Sequence, residues 1–196
     1  MRMTLSTSTN QQLMLWVALL LPLLGQAQYN LVLTSPASDT PGLGNVLVGF
    51  SAGNTYLTGQ YNTATGFFAG NSLQTGSNNA FYGINAGRNT AFSSSNTFIG
   101  GNAGYFNTTG GSNAFVGYQT GQGNESGSYN AFVGQQAGFK NLTGSNNAFM
   151  GSEAGYNNSS GSNNAFVGLE AGFNNQSGSS NAFVGVCCRH QEHDGI

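Results

Sequence analysis

The chain has 196 residues, of which 31 are Gly and 26 Asn, and only ten are charged, four basic and six acidic. A net charge of −2 leaves no electrostatic footprint for DNA, RNA or anionic lipid. The scarcity of charge does not make the chain disordered, because aromatics are 12% of it and disordered chains lack them.

Residues 1–27 read as a secretory signal peptide. Arg2 supplies a short basic region, Leu13 to Leu24 an apolar run, and Gly25-Gln26-Ala27 places small residues at −3 and −1 of a cut after Ala27. The run of about 12 apolar residues is too short for a bilayer span, which needs about 20, so an uncleaved N-terminal anchor is the weaker alternative. The mature chain is expected to begin near Gln28 and to be secreted or held at a bacterial cell surface. Residues 28–44 form a linker or cap.

From Asn45 onward one period organises the chain. Asn recurs at 45, 62, 79, 96, 113, 130, 147, 164 and 181, always 17 residues apart. Counting each Asn as position 0, Gly stands at position 4 in all nine copies and at position 8 in all eight complete ones. Position 14 is Gly except in the third copy, which has Ser93. The consensus is N-A-F-V-G-x-x-A-G-x-x-N-x-S/T-G-S-N, with eight complete copies over 45–180 and a partial ninth ending at 185. Two or three Gly per copy are costly in a helix, and Asn-Ala-Phe-Val-Gly reads as a short strand bounded by turn residues. Seventeen residues suffice for one coil of a parallel β-solenoid: strand, Gly turn, second short strand, second Gly turn. The fold class is therefore all-β, a β-solenoid or β-roll of 17-residue coils stacked at the inter-strand distance of about 4.8 Å.

Strand alternation puts positions 1 and 3 on one face and position 2 on the other. Positions 1 and 3 (Ala114 and Val116, Ala131 and Val133) are expected inside a thin coil, with Ala52, Ala69, Ala86, Ala103, Ala137, Ala154 and Ala171 of the second strand. Phe81, Phe98, Phe115, Phe132, Phe149, Phe166 and Phe183 are then expected outside, as an apolar stripe that a monomer rarely tolerates. The Asn column has two readings: amide-to-amide bonding along the axis, or simple turn formation.

The frame Asn-Ala-Phe-Val-Gly-x-x-Ala-Gly resembles the head repeats of trimeric autotransporter adhesins, the YadA-like head, with units N-S-V-A-I-G-x-x-A. Asn62-Thr-Ala-Thr-Gly66 comes closest. The chain is also similar in general style to Gly/Asn-rich repeat proteins exported by Bacteroidetes-type bacteria. The likeness covers 45–185, although the period is longer than the family's and the Phe position bulkier. It implies a left-handed parallel β-roll, a side-by-side homotrimer, and cell adhesion at an outer membrane.

The ninth copy starts in register at Asn181, but 186–196 does not continue the consensus. This tail, holding Cys187, Cys188, His190 and His193, is expected to be an out-of-frame or truncated reading. Adjacent cysteines are poor zinc-ligand spacing, so no metal site is assigned there. Residues 45–185 contain no His, Cys or Asp, and their charged residues are Arg88, Glu125, Lys140, Glu153 and Glu170. No Ser/His/Asp or Cys/His triad can be assembled. Glu153 and Glu170, one coil apart at about 5 Å, read as a solvated pair rather than a hydrolase dyad. Gly121-Gln-Gly123 lacks the Lys and helix of a phosphate loop. The sequons at Asn107, Asn124, Asn141, Asn158 and Asn175 recur because the repeat does. No catalytic, cofactor-binding or metal-ligating residue is assigned, and no cofactor.

The expected function is a non-catalytic, exported adhesin or fibre segment that displays Asn, Ser, Thr and Tyr (Tyr118, Tyr129, Tyr156) at fixed spacing to a host or environmental surface or glycan. It is expected to self-associate as a trimer, without nucleic-acid partners or membrane insertion by this segment. The alternative is a polysaccharide- or ice-binding solenoid, which would need a regular Thr or aromatic array; the residue before the third Gly instead varies among Thr58, Phe92, Thr109 and Ser126. A polysaccharide-lyase-like enzyme would need acids and bases in a groove.

Overall fold

The computed structural model describes residues 42–54 and 56–186. The expected signal peptide, most of the linker, and the cysteines and histidines of the tail lie outside the described residues. Each copy contributes one three-residue strand: β1 Val46–Val48, β2 Thr63–Thr65, β3 Ala80–Tyr82, β4 Thr97–Ile99, β5 Ala114–Val116, β6 Ala131–Val133, β7 Ala148–Met150, β8 Ala165–Val167 and β9 Ala182–Val184. They form one parallel sheet in chain order, each paired with the next at an offset of one repeat, so that Phe115 lies beside Phe132 and Val116 beside Val133. The protein is an all-β parallel solenoid of 17-residue coils, with no helix among the described residues.

The coil turns where the repeat places Gly and left-handed backbone. Gly at position 4 ends each strand with φ of 128–140°, a region that essentially only Gly enters. A Cβ on Gly151 would fall 2.2 Å from the carbonyl oxygen of Gly168 in the next coil. Positions 6 and 16 are non-glycine residues with φ of 53–62°, chiefly Asn, Ser, Gln and Glu. The second short strand expected in each coil does not form. Positions 5 to 10 are a succession of turns, because left-handed residues at positions 6 and 8 interrupt any extended run.

Backbone bonds tie each coil to both neighbours. In the sixth copy, the Gln136 N–H donates backwards to the Tyr118 carbonyl and the Lys140 N–H forwards to the Tyr156 carbonyl, both at 2.9 Å. Other N–H groups close turns inside the coil, as Ala137 to Gly134 and Asn141 to Gly138.

The structure reverses the expected facing of the strand. Phe81, Phe98, Phe115, Phe132, Phe149 and Phe166 are fully buried, while Ala114, Val116, Ala131, Val133 and their counterparts face out. The rings stack coil upon coil with centroids 4.6–5.2 Å apart and planes within 15° of parallel, a spacing set by the strand separation of about 4.8 Å. The cause lies across the coil. Ala at position 7 is buried as expected, and Gly at position 8 lies against the ring: a Cβ on Gly138 would fall 2.4 Å from Phe132. The small residues facing the interior are thus on the far arm, and the gap they leave is one aromatic ring deep. Leu47 and Ala64 take the Phe place in the first two coils. The Phe stripe is buried within its own chain and supplies no reason for a trimer.

Candidate interaction surface

The interior beside the Phe stack is polar, and two Asn columns fill it. At position 0, each side chain joins two coils. The Asn130 Oδ1 accepts the backbone N–H of Asn147 at 2.9 Å, and the Asn130 Nδ2 donates to the Gly144 carbonyl at 2.9 Å. Amide-to-amide bonds in this column are confined to its start, Asn62 to Asn45 and Asn79 to Asn62. At position 11 the amides do bond to one another: Asn124 to Asn107, Asn141 to Asn124, Asn158 to Asn141 and Asn175 to Asn158, at 2.6–2.8 Å. Each of these Nδ2 groups also donates to the Gly carbonyl three residues on. Low dielectric strengthens such bonds and makes an unpaired group there costly.

This changes which residues can meet a partner. The Asn of both columns is spent on the fold, so the expected display of turn-facing Asn is restricted to other positions. The sequon asparagines Asn107, Asn124, Asn141 and Asn158 are fully buried, with both Nδ2 hydrogens used in all four. The Ser column at position 15 is half spent: the Ser128 N–H donates to the Ser145 hydroxyl, and the Ser145 N–H to that of Ser162, at 3.0 Å.

Three surfaces stand out, two exposed and one half-buried. The first is a turn edge of small polar residues, such as Thr108, Thr109, Ser126, Thr143 and Ser177. The second is a column of aromatics at position 9, in which Phe139, Tyr156 and Phe173 stack at 5.0 Å with planes 8–10° apart. The Lys140 ammonium lies 5.4 Å from the Tyr156 ring centre. In the same column Arg88 lies over Phe68 at 4.5 Å and Tyr105 at 5.7 Å. The third is the outer face of the sheet, positions 1 and 3, continued by position 5, where Phe50, Phe67, Ile84, Tyr118 and Leu169 are exposed. No residue at these three positions is charged. Of the tyrosines expected on display, Tyr118 and Tyr129 are exposed and Tyr156 is half-buried in the aromatic column.

Glu153 and Glu170 occupy position 6, half-buried, with φ of 57° and 55°. Their N–H groups donate to the Gln135 and Ser152 carbonyls of the preceding coils. They continue a polar column in which Asn85 bonds Asn102 and Gln136 bonds Gln119. Among the described residues no group of three or more His, Cys, Asp or Glu could hold a metal ion. Among the described residues two buried side-chain oxygens, Thr90 Oγ1 and Gln122 Oε1, lack a hydrogen-bond partner. No helix of the described residues is long and apolar enough to cross a membrane.

The exposed sheet face escaped the reading of the sequence, although a signal for it was present. Position 2 is Phe seven times, as a packed interior demands. Position 3 varies through Val, Thr, Tyr, Ile and Met, a tolerance expected of a surface.

Compared with protein-family models, curated proteins and solved structures, the chain matches none of them.

Proposed function

We propose that this chain is a non-catalytic structural rod, exported to the cell surface, that adheres by presenting a small hydroxyl side chain, Thr or Ser, at the same turn position of most coils. The supporting observation is the unbroken 17-residue register. Phe stack, Asn columns and backbone bonds occupy the interior, and every surface position recurs at about 4.8 Å. Individually weak contacts at fixed spacing combine through effective concentration. Sugar binding by the aromatic column is not favoured by its geometry, because the ring faces of Phe139, Tyr156 and Phe173 cover one another and leave edges to solvent. Self-association remains part of this reading, but the buried Phe stripe does not drive it.

The test is retention of the full chain on hydroxyl-rich surfaces such as cellulose, agarose and glass, compared with a variant lacking two whole coils, residues 113–146. The deletion keeps the register. Multivalent display predicts a loss of retention steeper than the loss of coils. Equal retention by both forms, or turnover of a polysaccharide by either, would overturn the reading.

A further inference from the structure

Position 16 closes each coil in the left-handed region, with φ of 57–62°. Six complete copies place Asn or Ser there, and Asn tolerates this backbone well because its short side chain bonds locally. Tyr61 and Tyr129 take the same position with φ of 57° and 59°. A bulky ring in that region is an outlier, and such outliers cluster where a ligand is held. Phe68, the other aromatic at positive φ among the described residues, is accounted for by packing. Its ring meets Phe50 and Phe67 edge-on and lies under the Arg88 guanidinium. Tyr61 and Tyr129 are 62% and 67% exposed, and among the described residues neither ring meets another ring or a cation. Packing does not explain them.

Each tyrosine is followed by the same two residues. One coil on from Tyr61 stand Thr75 and Asn78, and one coil on from Tyr129 stand Thr143 and Asn146. All four are exposed, and among the described residues their side chains make no hydrogen bond. The set of Tyr, Thr and Asn thus recurs four coils along, about 19 Å away. We propose that the two sets are subsites for one strand of a neutral polysaccharide, a reading that rests on adhesion through the turn edge. An exposed ring offers a stacking face to the apolar side of a sugar, and a free amide and hydroxyl offer donors and acceptors to its hydroxyls. Positions 12 to 16 of the eight complete copies hold no Lys or Arg, and their one acid is Glu125, so an anionic polymer finds no counter-charge. In its own coil and the next, positions 13 to 16 around each ring hold only Gly, Ser, Thr, Asn and Gln. A protein hot spot needs surroundings that exclude water, and these do not. Two subsites on one strand combine through effective concentration.

Affinity electrophoresis of the full chain tests it, in gels holding dextran, galactomannan or hydroxyethylcellulose, with alginate as the anionic control. The comparison is the double variant Tyr61→Asn/Tyr129→Asn, which carries at both positions a residue the repeat already uses there. At least one neutral polymer should retard the parent, and alginate should not. The variant should lose that retardation several-fold while its urea midpoint stays equal or rises, since Asn suits the backbone better. Retardation by no neutral polymer overturns the proposal, as does stronger retardation by alginate. So does a variant retarded like the parent, or one less stable than the parent, whose rings would then belong to the fold. If parent and variant are retained equally on cellulose, agarose and glass, adhesion stands and these subsites fall. If neither is retained, both readings fall.

Discussion

The hydroxyl of Ser93 accepts the side-chain amide of Asn107 at 3.1 Å. Ser93 is the one non-glycine at position 14, and its copy is also the last before the position-11 Asn column begins: Thr90 stands where later coils have Asn. In those coils a Cβ at position 14 meets both the next coil's backbone and the Asn: on Gly110 it would fall against the Gly127 carbonyl oxygen and 2.6 Å from the Asn107 Oδ1. The shorter Thr90 removes the second of these obstacles, and Ser93 supplies the acceptor the column lacks. It also receives Asn96 Nδ2 at 3.2 Å.

The two departures should therefore compensate. Ser93→Gly removes an acceptor from two buried amides and is expected to cost about 1–3 kcal/mol. Thr90→Asn/Ser93→Gly restores the consensus, gives Asn107 a partner, and removes the unpartnered Thr90 hydroxyl. Its denaturant midpoint should return to or exceed the parent's. A double variant less stable than Ser93→Gly alone would count against this account.

Neighbouring residues on one strand should respond oppositely to truncation. Phe132→Ala opens a cavity between two stacked rings and is expected to lose about 3–5 kcal/mol. Val133→Ala, one residue on and facing out, should stay within about 0.5 kcal/mol, measured on the monomer. Urea unfolding followed by circular dichroism reads both.

Asn141→Asp places a carboxylate between the Asn124 Oδ1 and the Gly144 carbonyl, both acceptors that Asn141 now serves. At neutral pH this should destabilise by about 3 kcal/mol or more. Burial and the two acceptors favour the protonated acid in the folded state, raising its folded pKa above the unfolded value. The folded chain then binds more protons than the unfolded one, so the variant regains stability as pH falls. Thermal melts across acidic pH, compared with the parent, show whether the gap closes.

Two glycines of opposite character make a further pair. Gly151→Ala combines a φ of 137° with a clash against the Gly168 backbone and should lower the melting temperature by many degrees. At Gly101 an added Cβ meets only the Tyr118 side chain at 3.4 Å. Gly101→Ala should be neutral or stabilising by up to about 1 kcal/mol.

The period, the parallel in-register stacking and the inward Ala of position 7 were legible because each follows from spacing alone. The facing of the strand was not. Alternation divides residues into two faces without saying which is inner, and the deciding residue, Gly138 against Phe132, lies on the other arm of the coil. The second strand was misread for a related reason: the left-handed backbone at Gln136 and Glu153 belongs to residues whose types do not announce it. The two Asn columns looked alike in sequence. They differ because position 11 bonds amide to amide along the stack, whereas position 0, beyond its first coils, spends its amide on backbone groups.

The bonds between coils lie along the rod. Tension applied at the two ends would meet them one loop at a time, never all together. Each loop that peels away would release about 50 Å of chain, so the rod would lengthen in equal steps, yielding gradually to a tug while the loops not yet reached stay folded.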